Sequence, residues 1–340
     1  MSPTDRDLRT TTICLILLTV FATGGVLYVL RAVLVPFVLA LFLTMGLAPL
    51  IDVQIRRLRF PRGVAVATSV MIAVLVLALA GIITSISVAR MVQNAAQYEQ
   101  QIRVFAATTL NQLPFADYGI DASQFIGQLT GQVGGAVVGI GNAVIDILSN
   151  GILVTVFVIF LLIGRSTARP HGSVWAAVES RVQRYLGIKF MVSLLTGFSV
   201  GTVLQLLGVQ YALMFGLLSF LLNFIPSVGS IVATLLPLPV VMVDPSLSGA
   251  TAVLAIALPG AIQMTMGNFI EPKIYGESLD VHPVVMLMSL VLWGTLWGIV
   301  GLFLAAPLAA VTRILFGRLE YTRPFAEAMA GRLDPLFGEE

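Results

Sequence analysis

Long apolar runs alternate with short basic segments along this chain, and the runs read as helices rather than strands. Residues 11–30 and 32–50 are two such runs, separated by Arg31 alone, with Pro36 early in the second. A membrane span needs about 20 apolar residues, so this stretch predicts two spans folded as a tight helical hairpin. Residues 64–88 predict a third span, preceded by Arg56, Arg57, Arg59 and Arg62, and complete an N-terminal group of three spans over 11–88. The segment 90–134 is glutamine-rich and carries only Arg90 and Arg103 as basic residues, which predicts a soluble excursion outside the cytoplasm. Residues 140–163 return through the membrane.

The segment 165–189 is basic. Within it Val174, Val178, Val182 and Leu186 recur every four residues, flanked by Trp175 and Tyr185, with Arg181 and Arg184 on other faces. That pattern predicts a cytoplasmic helix lying in the membrane interface rather than crossing it.

Residues 190–316 form the expected core. An intact span at 190–208 is followed by an interrupted piece at 211–243, and an intact span at 249–267 by an interrupted piece at 283–316. In the first interrupted piece Pro226, Gly229, Pro237 and Pro239 oppose a continuous helix, and Asn223, Ser227 and Ser230 cluster at the break. In the second the interruptions are Gly294, Gly298, Gly301 and Pro307. If each piece turns back within the membrane, a span plus a broken hairpin occurs twice with opposite orientation. Paired interruptions at corresponding positions point to a transporter's binding site more than to simple packing kinks.

Composition agrees with a single membrane domain over 1–340. With 58% hydrophobic and 11% charged residues in a 340-residue chain, the apolar side chains exceed what one soluble core buries. The expected fold class is therefore an all-α integral membrane protein, a polytopic helical bundle of about eight hydrophobic segments with two Gly/Pro-broken helical hairpins as an inverted repeat. The first run is too long for a signal peptide and lacks a small-residue cleavage site, so it is expected to stay as a helix. Placing both termini in the cytoplasm puts fifteen of the 19 basic residues inside, as the positive-inside rule requires.

Few ionisable groups fall within the membrane, where each costs at least about 2.5 kcal/mol unless paired or hydrated. Glu271 and Lys273 flank Pro272 just after a span, and Glu271 is a candidate for a coupling proton or cation, with Lys273 or Asn268 as its partner. An ordinary interfacial ion pair is the alternative. Asp146 lies between Asn142 and Asn150 at helical spacing, a polar stripe that lines a water path or marks a helix end. His282 precedes Pro283 at the start of the second broken piece and titrates near neutral pH if it does more than bond locally. Trp293 and Trp297 share a face, suited to lining a cavity or to packing. Asp244 beside Pro245 reads as a solvated turn residue.

The chain has no Gly-rich phosphate loop, no HExxH and no GxSxG frame, so no catalytic residue is assigned and an enzyme is not expected. Its one cysteine, Cys14, permits no internal disulfide, and two His with one Cys predict no metal site and no cofactor. Nothing suggests a nucleic-acid partner.

Seven motifs in order carry a resemblance: Tyr185 to Lys189 (YLGIK), Leu207 to Val209 (LGV), Asn223 to Ser230 (NFIPSVGS), Asn268 to Lys273 (NFIEPK), His282-Pro283, Trp293 to Gly301, and Ala306 to Leu308 (APL). Together they resemble the autoinducer-2 exporter family of bacterial membrane proteins, most densely over 180–316. The resemblance implies a multi-spanning permease of the bacterial inner membrane that forms homo-oligomers, in a family associated with autoinducer-2 export or with sodium/proton antiport. The chain departs from it at Ser227, where many relatives carry an aromatic residue, and at Val300, where Pro is common; the latter implies a softer second hinge.

The leading expectation is a secondary transporter that exports a small polar solute on the proton gradient, with the two broken hairpins forming the site and gates. Its residues are Asn223, Pro226, Ser227, Gly229, Ser230, Asn268, Glu271, Lys273, His282, Trp293 and Asp146. The alternatives are a sodium/proton antiporter with Asp146 and Glu271 as ligands, and a non-transporting scaffold acting through residues 90–134 and the helix near Trp175.

Overall fold

A computed structural model describes residues 3–93, 135, 139, 151–164, 174–244, 246–275, 281–318 and 320–332. Every regular element among them is helical, and five helices are long and apolar enough to cross a membrane: Arg31–Arg57, Arg62–Ser87, Val178–Leu206, Gly249–Ile270 and Pro283–Phe316. The protein is an all-α polytopic membrane protein. Residues 94–134 and the polar stripe at Asn142, Asp146 and Asn150 lie outside the described residues. The chain forms two compact units, one of residues 1–44, 153–165 and 281–340, the other of 45–152 and 166–280.

In the first unit, helix α1 (Pro3–Val29) meets α2 (Arg31–Arg57) across Leu30 alone. Leu30 N–H still donates to Val26, and Leu34 N–H to Leu30. Leu30 is thus the single turn residue that ends one helix and begins the next. The Arg31 guanidinium lies 4.4 Å over the Tyr28 ring, a cation–π contact across the junction. Phe37 of α2 packs edge-on against Phe157 of α4 (Gly151–Gly164).

The same unit holds the second broken piece, α11 (Pro283–Phe316), which is not one straight helix. Gly298 sits at φ 64, ψ −142, a conformation open to glycine and strained for other residues. Beyond it the chain folds back: Ser289 Oγ donates to the Ala305 carbonyl at 2.9 Å, although the two are 16 residues apart. In a continuous helix that separation is about 24 Å. Gly301 packs on the Trp293 carbonyl so closely that a Cβ would overlap it. Pro283–Phe316 is thus a helical hairpin rather than one straight helix. Trp297 packs against Trp293 with ring centroids 4.6 Å apart and planes tilted by 49°, and donates its Nε1 proton to the Leu27 carbonyl of α1, 3.2 Å away. A short helix, α12 (Arg323–Met329), closes the unit: its Met329 carbonyl accepts from His282 N–H at 2.8 Å.

In the second unit, the end of α2 and the start of α3 (Arg62–Gln93) are clamped by the Gln54 side chain, which accepts from Thr68 Oγ1 at 2.6 Å and donates to Ser69 Oγ at 3.1 Å. Next comes a departure from the expected layout. Residues 174–189 and 190–206 form one helix, α5 (Val174–Leu206), not an interfacial helix followed by a separate span. Nothing between them breaks the ladder, and the Val178 and Val182 stripe is buried inside the protein together with Tyr185 and Lys189. It seals protein against protein rather than protein against lipid.

Gly208, at φ 76, ends α5 and turns the chain into α6 (Ala212–Leu222). The two helices pack antiparallel through glycines: a Cβ on Gly197 would lie 2.6 Å from the Gly216 carbonyl, and one on Gly216 would lie 2.7 Å from Gly201 Cα. Their backbones touch, which also fixes the facing of every side chain nearby. The first broken piece then turns at Asn223 to Ser227 into α7 (Val228–Leu235), and after Pro237 into α8 (Leu238–Val243). Ser227 takes φ 59, and Gly229 lies on the Leu222 carbonyl with no room for a Cβ. Helix α9 (Gly249–Thr265) is capped by Ser248, contains Pro259, and continues through a π turn (Met266–Ile270) into α10 (Glu271–Tyr275).

Candidate functional site

The π turn is where the site begins. A π turn inserts extra residue length into a helix and swings everything after it around the axis. Here it carries Glu271 to the face of α9–α10 that meets α5. The Glu271 carboxylate lies 2.6 Å from the Lys189 Nζ, and the Asn223 amide donates to the same oxygen at 3.3 Å. That amide also donates to Ser193 Oγ at 3.0 Å. Lys189 and Ser193 are one turn apart on α5, and Asn223 stands at the first hairpin's break, so three elements converge on one carboxylate.

The cluster is enclosed. The Lys189 side chain is 3% exposed and that of Glu271 17%, while Ser193 and Asn223 are buried. Removing an ammonium and a carboxylate from water costs several kcal/mol per ion, and their contact offsets this only when geometry is good and the remaining hydrogen bonds are made. Asn223 supplies one of those bonds. The arrangement is a charge-neutral pair that a proton or a competing ion on Glu271 would open.

The partner of Glu271 is therefore Lys189, not Lys273 or Asn268, both of which are exposed. Lys273 points away because the π turn aims Glu271 inward, and its neighbours on the short α10 follow the helix around. Of the other expected residues in this unit, Pro226 and Ser227 form the tight break, Gly229 seats it on α6, and the Ser230 carbonyl accepts from Thr234 Oγ1 at 2.9 Å. In the other unit, His282 caps its hairpin by accepting from Val284 N–H at 3.3 Å, with Gly331 against its ring, and Trp293 packs at a tilt against Trp297. The contacts of those two are local. Among the described residues there is no group of three or more His, Cys, Asp or Glu suited to a metal ion.

Sequence reasoning passed over Lys189 and Ser193. The available signal was the heptad-like run Val178, Val182, Tyr185, Lys189: extending the buried stripe by one turn makes Lys189 a buried cation in need of an anion.

The family described as AI-2E family transporter matches residues 15–320. The AI-2 transport protein TqsA of Escherichia coli K12 is 32% identical over 303 residues, covering 83% of this chain and 85% of that protein. A relative from Haemophilus influenzae is 32% identical over 327 residues, covering 86% and 89%. YhhT of Escherichia coli is 27% identical over 296 residues, covering 83% of each. With a family match spanning most of its length and relatives aligned nearly end to end, this chain belongs to the AI-2E transporter family.

Proposed function

We propose that the protein is a secondary transporter that exports a small polar solute across the bacterial inner membrane, driven by the proton gradient, with Glu271 as the coupling residue. The observation that carries this reading is the buried Lys189–Glu271 pair, held by Asn223 at the break of the first hairpin. A proton on Glu271 releases Lys189 and loosens Asn223, so the charge state is tied to the segment whose backbone is strained at Ser227. The AI-2 transport role in the name of the Escherichia coli relative supports a small solute. The basic segments at 52–62 and after Arg313 support a cytoplasmic position for those regions. Assembly as a homo-oligomer and the inverted relation of the two hairpins belong to the same proposal.

Metabolite comparison of cells with and without the gene names a solute, and proteoliposomes under an imposed pH gradient then test its flux. Glu271→Gln abolishes gradient-driven flux; unaltered flux removes Glu271 from the mechanism. Sodium/proton antiport is the second reading, favoured by the Glu271 and Ser193 oxygens that the Asn223 amide nitrogen brings together. It predicts sodium-dependent dequenching of a pH dye in vesicles without added solute.

A further inference from the structure

Two buried polar side chains in the second unit have no hydrogen-bond partner among the described residues. The Gln263 side chain on α9 is 4% exposed, and neither its amide nitrogen nor its oxygen meets a hydrogen-bond partner among the described residues. Ser219 on α6 is 0% exposed, and its hydroxyl is likewise unpaired. Leaving such groups dry in an apolar interior costs about 1–3 kcal/mol each, so they mark a place where something polar sits.

Their positions are related to the charged cluster. Ser219 lies four residues before Asn223, hence on the same face of α6 and about 6 Å along its axis. Gln263 lies eight residues before Glu271. In a plain α-helix that spacing leaves two side chains about 80° apart, but the intervening π turn takes up the excess and returns them to one face, about 12 Å apart along the axis. On α5, Thr196 follows Lys189 and Ser193 on the same face and is 0% exposed. Helix α6 runs antiparallel to α5, as the Gly197, Gly201 and Gly216 contacts require, and Gly260 of α9 meets Thr234 of α7 well above the break. All three polar residues therefore leave the cluster toward the same end of the unit, the end at which α6 and α9 begin. The Asn223-to-Ser219 step of about 6 Å matches the reach of one water bridging two polar groups, and the Glu271-to-Gln263 step of about 12 Å that of a short file of waters.

We propose that Gln263 and Ser219 hold a file of water that runs from the Lys189–Glu271 pair toward the end of the unit where α6 and α9 begin, and that this file delivers the coupling proton to Glu271. The proposal rests on Glu271 being the coupling residue. In the step itself a hydronium at the inner end of the file gives its proton to the Glu271 carboxylate and is left as water, and the Lys189 ammonium is released. Gln263 suits the relay because its amide both donates and accepts without taking a charge of its own.

The test uses the full chain in a Cys14→Ser background. Gln263→Cys is treated with 2-aminoethyl methanethiosulfonate beside Leu218→Cys, a fully buried apolar position on α6. Hydration predicts modification of the Gln263→Cys protein at least tenfold faster than the Leu218→Cys protein; equal rates overturn the file. Proton uptake by dye-loaded proteoliposomes is then read for Gln263→Leu, Gln263→Asn and Glu271→Gln. The expected result is at least a tenfold loss in Gln263→Leu and Glu271→Gln, with Gln263→Asn within threefold of the parent. Loss in Glu271→Gln with full uptake and a raised Tm in Gln263→Leu overturns the relay while leaving the coupling role of Glu271 intact. Full uptake in Glu271→Gln overturns that coupling role itself, and the labelling contrast still decides whether the file is wet.

Discussion

The Lys189 ammonium lies 2.6 Å from a Glu271 carboxylate oxygen, joining positions 82 residues apart in a part of the molecule built from membrane-spanning helices. Because the pair is nearly closed off from water, each charge depends on the other. Lys189→Met and Glu271→Gln singly are expected to lower stability by about 3 kcal/mol or more, since each strands a buried partner. The double substitution recovers most of that loss. Thermal unfolding of the four proteins in detergent measures the cycle, and additive losses would show that the two side chains act independently.

The second hairpin makes a geometric prediction. Ser289 and Ala305 are hydrogen-bonded across it, so Ser289→Cys with Ala305→Cys, in a Cys14→Ser background, forms a disulfide on mild oxidation. A straight helix would hold those positions about 24 Å apart, far beyond any bridge. Mass spectrometry of the oxidised protein decides between them.

Glycines at the two breaks differ sharply from those elsewhere. A Cβ on Gly229 would overlap the Leu222 carbonyl and one on Gly301 the Trp293 carbonyl, whereas one on Gly24 meets nothing within 4 Å. Gly229→Ala and Gly301→Ala are each expected to cost about 1–3 kcal/mol or more through forced backbone movement. Gly24→Ala is neutral or slightly stabilising. Yield of monodisperse protein and its Tm provide the comparison.

Backbone conformation gives the same two breaks opposite responses to substitution. Ser227 occupies φ 59 with a side chain, so Ser227→Gly relieves strain and raises stability by about 1 kcal/mol. Gly298 occupies φ 64 as glycine, so Gly298→Ala adds strain of about 1–3 kcal/mol despite open space around it. A fall in stability on Ser227→Gly would mean that its hydroxyl outweighs the strain.

Much of this architecture was legible in the residues themselves. Apolar run length determines the membrane class, because a bilayer admits only segments that satisfy their own backbone. Pro226 with Gly229, and Gly298 with Gly301, mark both reversals because Pro lacks a donor and Gly alone fits where backbones meet. Other features were decided only in three dimensions. The join at Lys189 contains no breaker, so charge suggested a boundary where uninterrupted hydrogen bonding made one helix. Glu271 could not be assigned its partner from spacing, since the π turn changes which way it faces and a buried lysine 82 residues away reaches it only through the glycine-tight packing of α5 on α6. Local chemistry sets where a backbone can bend; which charges meet inside depends on helices packing at a distance, and one sequence does not carry that distance on its surface.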